Sequence, residues 1–195
     1  MALMSCFAAW APLLIVVMAL GAWRGGFRAR AFFITSALIV LVNDAVISNS
    51  IKHLVHRPRP FQTEEGVRMV DMARKTPRIL AIGQPAAVKI SDPTTPPGNS
   101  GRSFPSSHTV NTIAVALVTA CFYRRYGWLS FIPALLVAYS RIYTGSHWPS
   151  DVITSIFLGL GTTLLMLVLL AWLWRTKGGR ILPKIHQQHP ELLPT

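Results

Sequence analysis

Acidic residues are scarce in this chain: seven Asp and Glu stand against nineteen Lys and Arg in 195 residues, and all charged residues together make up 13%. So little charge beside 51% hydrophobic residues excludes an ordinary water-soluble domain and points to a membrane protein. Cysteine is nearly missing as well. Cys6 and Cys121 lie in apolar stretches without metal-ligand spacing, which excludes a disulfide framework and a zinc site and leaves packing as their role. No repeat and no strand-rich region is visible, which leaves an all-α architecture. What is present in excess is positive charge, a formal +12. It admits nucleic acid, anionic lipid headgroups or a phosphorylated substrate as partners, and the positions of the cations must decide.

Long apolar runs account for most of the chain. Met1 to Trp23 carries no charged side chain and is long enough to cross about 30 Å of hydrocarbon as a helix. It lacks the basic start and small-residue cleavage site of a signal peptide, so it is expected to be a retained span. Ala31 to about Val55, Ser107 to Tyr123, Trp128 to Thr144 and Pro149 to Trp174 complete an expected polytopic bundle of about five transmembrane helices. Nine basic residues would flank it on one side: Arg24, Arg28, Arg30, Arg124, Arg125, Arg175, Lys177, Arg180 and Lys184. If that side is cytoplasmic, the chain begins outside and ends inside. Nine further Lys and Arg between Lys52 and Arg102 oppose the rule, but three of them belong to or adjoin a motif that gives them another use.

Residues 1–177 thus read as one membrane domain. Within it, the polar connection 61–104 should face the cell exterior, as a lid or as a plain connector, with weakly amphipathic patches at Val67–Met72 and Ile79–Ile82. Residues 178–195 read as a solvated, irregular cytoplasmic tail. His186 and His189 in it are spaced as a possible metal pair but have no further ligand nearby.

Three separated clusters carry chemistry. Lys52 follows Asp44 and Ser48 at four-residue steps, which places all three on one helical face, and Pro58 and Pro60 should end that helix near Arg57. Arg59 then projects from a rigid Pro-Arg-Pro corner, where its planar fork can bind two phosphate oxygens beside the point charge of Lys52. A basic membrane flank with snorkelling side chains is the plainer reading. In Pro105-Ser106-Ser107-His108, Ser106 suits a helix N-cap and His108 the first turn. Free N–H groups there favour an anion, the Ser106 hydroxyl can donate to an oxygen, and His108 can exchange a proton. Simple capping with an incidental histidine is the alternative. Ser140-Arg141 closes the fourth apolar run, and His147 and Asp151 lie one turn apart at the start of the fifth. The carboxylate can accept from one ring nitrogen and leave the other unprotonated and nucleophilic, unless Asp151 serves only as a helix-start anion.

Together these spacings resemble the type 2 phosphatidic acid phosphatase (PAP2) family. Lys52 with Arg59-Pro60 is similar to its Lys-x6-Arg-Pro, Pro105-Ser106-Ser107-His108 to its Pro-Ser-Gly-His, and Ser140-Arg141 with His147 and Asp151 to its Ser-Arg-x5-His-x3-Asp. Ser107 replaces the usual Gly but keeps its backbone N–H. The resemblance implies a helical core shared with bacterial acid phosphatases and vanadium haloperoxidases. It further implies metal-independent, cofactor-free phosphatase chemistry through a phosphohistidine. Lys52, Arg59, Ser106, Ser107 and Arg141 would hold the phosphoryl group. His147 would attack, His108 would protonate the leaving oxygen and then activate water, and Asp151 would orient His147.

A site among apolar helices at the outer leaflet implies a lipid phosphate held in the bilayer. The resemblance admits undecaprenyl pyrophosphate, phosphatidylglycerol phosphate, phosphatidic acid or lipid A phosphates, with carrier-lipid recycling slightly favoured and the bacterial inner membrane as location. A lipid phosphotransferase and a non-catalytic lipid-phosphate binding or transport protein are the rivals. Nucleic acid is not an expected partner, because the cations gather at membrane flanks and motifs rather than along one soluble face.

Overall fold

The protein is a helical bundle carrying one small β-hairpin, as seen in a computed structural model that describes residues 1, 3, 6–72, 80, 83–92 and 102–193. Helix α1 (Phe7–Arg24) turns at Gly25-Gly26 into α2 (Phe27–Val42), which continues through a π-helical segment (Asn43–Ser48) into α3 (Asn49–Val55). A single turn, α4 (Pro60–Thr63), precedes strands β1 (Arg68–Asp71) and β2 (Ala87–Ile90), which pair antiparallel with Val70 opposite Val88. Then come α5 (Ser107–Phe122), a 3-10 turn (Gly127–Ser130), α6 (Phe131–Tyr143), α7 (Pro149–Ile181) and α8 (Pro183–Gln188).

Helix α5 is the axis of the bundle. Its sequence is apolar or small on nearly every side, and Val110, Ile113, Ala114, Val118 and Phe122 are buried, as a helix without a polar face requires. It packs on α7, α6 and α2. Gly159 lets α7 approach closely, since a Cβ there would lie 2.9 Å from the Val110 carbonyl oxygen. The periphery is the reverse of a soluble surface: Leu13, Ile15 and Val16 on α1 and Phe157, Leu165 and Val168 on α7 are exposed. A contiguous apolar exterior of this kind suits a lipid surround.

Two stretches are long and apolar enough to cross a bilayer, Phe27–Thr63 and Pro149–Ile181. Trp10–Arg24 and α5 are shorter apolar helices. Helices occupy the five stretches expected as spans, but among the described residues only two of them have full crossing length and apolarity, so the structure supports two spans rather than five. At about 1.5 Å per residue, the 16 residues of α5 and the 13 of α6 fall short of about 30 Å.

Three expectations need correction. The chain is not all-α: in the connection 61–104 the Val67–Met72 patch contributes β1, which pairs with β2, while most of the Ile79–Ile82 patch lies outside the described residues. The segment after Lys177 is not irregular, because α7 runs on to Ile181 and α8 follows. There the His189 ring stacks on Phe27 at 4.3 Å and His186 lies against Trp174, so both histidines are packing groups on an apolar surface. Finally, Asp44, Ser48 and Lys52 do not form a regular α-helical stripe. The π segment lengthens the local repeat to about five residues, so Asn43 and Ser48 are buried together while Asp44 is exposed. Cys6 and Cys121 are both free thiols.

Candidate active site

Each part of the site sits where an element begins or ends. Helix α3 stops at Val55 because His56 adopts a left-handed conformation (φ 51°), and the Pro-flanked corner that follows cannot continue the helix. Lys52 is left in the last turn, where its Nζ donates to Ser107 Oγ at 2.7 Å. Arg59 occupies the N-cap of α4, its backbone N–H donating to Gln62 Oε1 at 2.8 Å and Pro60 filling the first helical position. Its Nε is buried without a hydrogen-bond partner among the described residues.

Ser106 caps α5, accepting from the Thr109 hydroxyl at 2.9 Å and, weakly, from the Thr109 N–H at 3.5 Å. Its own N–H donates to Ser155 Oγ at 2.9 Å, which binds the start of α5 to the first turns of α7. Ser106 is fully buried, so the capping role offered by the sequence is the one its oxygen performs. His108 follows in the first turn, within electrostatic reach of Arg141, Lys52, Asp44 and Arg59.

Arg141 ends α6, and its carbonyl oxygen accepts from the N–H groups of Ser146 and His147 at 3.2 and 3.3 Å, which closes the turn carrying His147. Gly145 at the apex of that turn has φ +67°, and any Cβ there would come within 2.8 Å of the Arg68 carbonyl oxygen. The hairpin is thus docked on the turn, and the Val70 N–H donates to the Thr144 carbonyl at 3.4 Å. Arg141 Nε, like that of Arg59, is buried without a partner among the described residues. Uncompensated guanidinium nitrogens in a buried place are costly, and an anion is the natural complement.

His147 is 4% exposed, and its Nδ1 lies 2.6 Å from the carbonyl oxygen of Ser103. A carbonyl can only accept, so Nδ1 carries the proton and Nε2 presents a lone pair. Burial pushes the imidazolium down to about 3, with the positive charges of Arg141 and Arg59 adding to the effect and the Ser103 hydrogen bond opposing it. The ring is accordingly neutral at physiological pH.

The expected bond from His147 to Asp151 is not the one formed. Asp151, fully buried, accepts from Arg57 Nη1 at 2.6 Å, from the Trp148 N–H at 3.2 Å and from the Ser103 hydroxyl. Ser103 stands between the two residues and takes the His147 proton on its carbonyl. The structure thus brings Lys52, Arg59, Ser107, His108, Arg141 and His147 into one neighbourhood, with Ser106 beneath as a cap and Asp151 one residue removed. Sequence reasoning missed Ser103 and gave Arg57 no role beyond marking the helix end. A hydroxyl immediately before Phe104-Pro105-Ser106 and a second arginine in the proline corner were the available signals. Among the described residues no three His, Cys, Asp or Glu side chains converge as a metal cluster.

A profile of the PAP2 superfamily matches residues 32–175, and the chain belongs to that superfamily. Among individual proteins, YbjG of Escherichia coli (strain K12), provisionally assigned as an undecaprenyl-diphosphatase, is 27% identical over 150 residues, covering 76% of this chain and 61% of that protein. The undecaprenyl-diphosphatase BcrC of Bacillus subtilis (strain 168) is 36% identical over 64 residues, 33% of each chain. A lipid A 4'-phosphatase of Porphyromonas gingivalis is 44% identical over 59 residues, 29% of this chain and 25% of that one. The matched regions thus span from about a quarter to about three fifths of these curated relatives' lengths. No solved structure matches the chain significantly.

Proposed function

We propose that this protein is a membrane lipid phosphatase that hydrolyses the phosphomonoester or pyrophosphate of a bilayer lipid through a phosphohistidine on His147. The observation that carries this reading is a neutral, nearly buried imidazole whose Nδ1 proton is fixed by a carbonyl, beside two arginines with unpartnered buried nitrogens. Arg59, Arg141, Lys52 and the N–H groups at the start of α5, including that of Ser107, hold the phosphoryl oxygens and stabilise the charge that develops on them. In Ser106 the hydroxyl proton, not the oxygen already accepting from Thr109, is the part that can serve the anion.

His147 Nε2 attacks phosphorus in line. The bond to the leaving oxygen breaks as His108 gives it a proton, and the phosphoryl group rests on His147. His108 then takes a proton from water, whose oxygen displaces the histidine and releases inorganic phosphate. Asp151 keeps His147 oriented. No step draws on a metal or cofactor, and full activity in excess chelator is the expected result.

The lipid class follows from location, because the exposed faces around the site are apolar and a prenyl or acyl tail can stay in the bilayer. Undecaprenyl pyrophosphate is the first choice, in line with the names of the YbjG and BcrC relatives, and lipid A phosphates, phosphatidylglycerol phosphate and phosphatidic acid follow. The site is assigned to the outer face of the bacterial inner membrane, opposite the basic ends Arg24–Arg30 and Arg175–Lys184. Phosphate release from a panel of purified lipid phosphates in detergent, with His147→Ala as blank, tests both reaction and substrate. Transfer of the label to a second lipid in place of phosphate release favours a phosphotransferase, and binding without turnover favours a carrier.

A further inference from the structure

Arg57 and Arg59 are two residues apart and serve different partners. Arg57 Nη1 donates to Asp151 at 2.6 Å and to Ser150 Oγ at 3.1 Å, and its guanidinium lies over the Trp148 ring at 5.4 Å. Trp148 is itself tied down, its Nε1–H donating to the Pro58 carbonyl at 3.1 Å. The Arg57 carbonyl meanwhile accepts from the Ser103 N–H at 2.8 Å. Ser103 is fully buried, and all three of its polar groups are engaged: N–H to Arg57, hydroxyl to Asp151, carbonyl to His147. Arg57, Asp151 and Ser103 therefore form a closed ring of hydrogen bonds whose outward contact is the Ser103 carbonyl under the His147 ring.

We propose that Arg57 and Ser103 are positioning residues for His147: Asp151, held by Arg57, grips the Ser103 hydroxyl, and the carbonyl so fixed aims Nε2 at phosphorus. The inference rests on the reading of His147 as nucleophile. It differs from a direct His-Asp pair in one chemical respect. A carbonyl cannot relay a proton from His147 to Asp151, so the contribution of Asp151 is geometric. Arg57 supplies the counter-charge facing this fully buried carboxylate, at 2.6 Å. Among the described residues no hydrogen bond or ion pair links the ring to Lys52, Arg59 or Arg141, so loosening it disturbs the aim of the nucleophile and leaves the phosphate cations in place.

The test is steady-state kinetics of the full chain in detergent on the best lipid phosphate of the panel, with orthovanadate inhibition as a measure of the cation site. Ser103→Ala keeps the carbonyl but frees it from Asp151, and Arg57→Gln unlocks Asp151. Each is expected to lower kcat about 10- to 100-fold, with KM and the orthovanadate inhibition constant changed less than about three-fold. Arg57→Lys, which keeps a cation facing Asp151, should stay within about five-fold of the parent. The double variant should be no worse than the poorer single one by more than about two-fold, since both act through one chain. The proposal is overturned if Ser103→Ala retains kcat within about two-fold of the parent. It is equally overturned if kcat, KM and orthovanadate inhibition worsen together in step with loss of folded protein, which is what a purely structural role predicts. His147→Ala separates the two levels: turnover in that variant defeats the nucleophile assignment itself, whereas its silence beside an unimpaired Ser103→Ala defeats only the positioning chain.

Discussion

The two ends of the bundle handle charge in opposite ways. At one, a fully buried carboxylate is matched by Arg57, and Arg59 and Arg141 each keep a buried Nε without a partner among the described residues. At the other, the Arg175–Glu191 pair is exposed on both sides, next to an apolar cavity of about 680 Å³ between α2, α7 and α8, where Ile34, Leu38, Leu173 and Ile181 line the wall. Charges out of water interact strongly and cannot be left unmatched, whereas exposed pairs contribute little. On the function proposed above, the difference teaches where to look: substitutions at the first end should act on turnover, and substitutions at the second on folding alone.

The strongest way to break that contrast is His147→Ala, expected to lower turnover by about 10³-fold or more while the protein still folds, checked by phosphate release and a detergent melt. Near-normal turnover removes the special status of this end. Next come Arg59→Lys and Arg141→Lys, which keep the charge but lose the fork; each should lower kcat/KM about 10²-fold, and parity with the parent would show that a point charge suffices.

The pH dependence of stability is a smaller effect with a definite sign. An unfolded histidine titrates near 6.5, whereas His147 in the fold does so at about 3. Between those values the unfolded chain binds a proton that the folded chain refuses, so this contribution is fully present above about pH 6.5 and is lost as pH falls towards about 3. Unfolding in detergent at about pH 4.5 and about pH 7.5 should show the slope, reduced in His147→Gln; an unchanged slope assigns it to other groups.

At the far end, Trp174→Ala removes the ring that meets Phe27 and His186. It should cost about 1–3 kcal/mol of stability with kcat unchanged, and a fall in kcat would couple the two ends. Smallest of all, Glu191→Gln should shift stability by less than about 1 kcal/mol, as befits an exposed pair.

Much of the candidate site could be read in the sequence because its residues sit at helix ends, where proline, serine caps and charge after an apolar run leave local marks. Ser106 at the N-cap of α5 and Pro60 opening α4 follow directly from such marks. The π segment left none, since a five-residue repeat over Asn43–Ser48 looks like an α-helix until the burial of Asn43 with Ser48 is seen. Nor did the Ser103 bridge, whose hydrogen bonds join residues 44 and 48 positions apart. The helical tail leaves no mark for a related reason: His186 of α8 and His189 just after it are held by aromatic contacts with Trp174 and Phe27 rather than by a long periodic pattern of their own.

Sequence alone determined the apolar helices, the excess of cations and the order of motifs at helix ends, because each depends on neighbours a few residues away. Which arginine answers Asp151, and which atom holds the proton of His147, was decided only when α3, α5 and α7 came together. Hydrogen bonds between distant segments depend on ångström-scale placement, and packing alone supplies that.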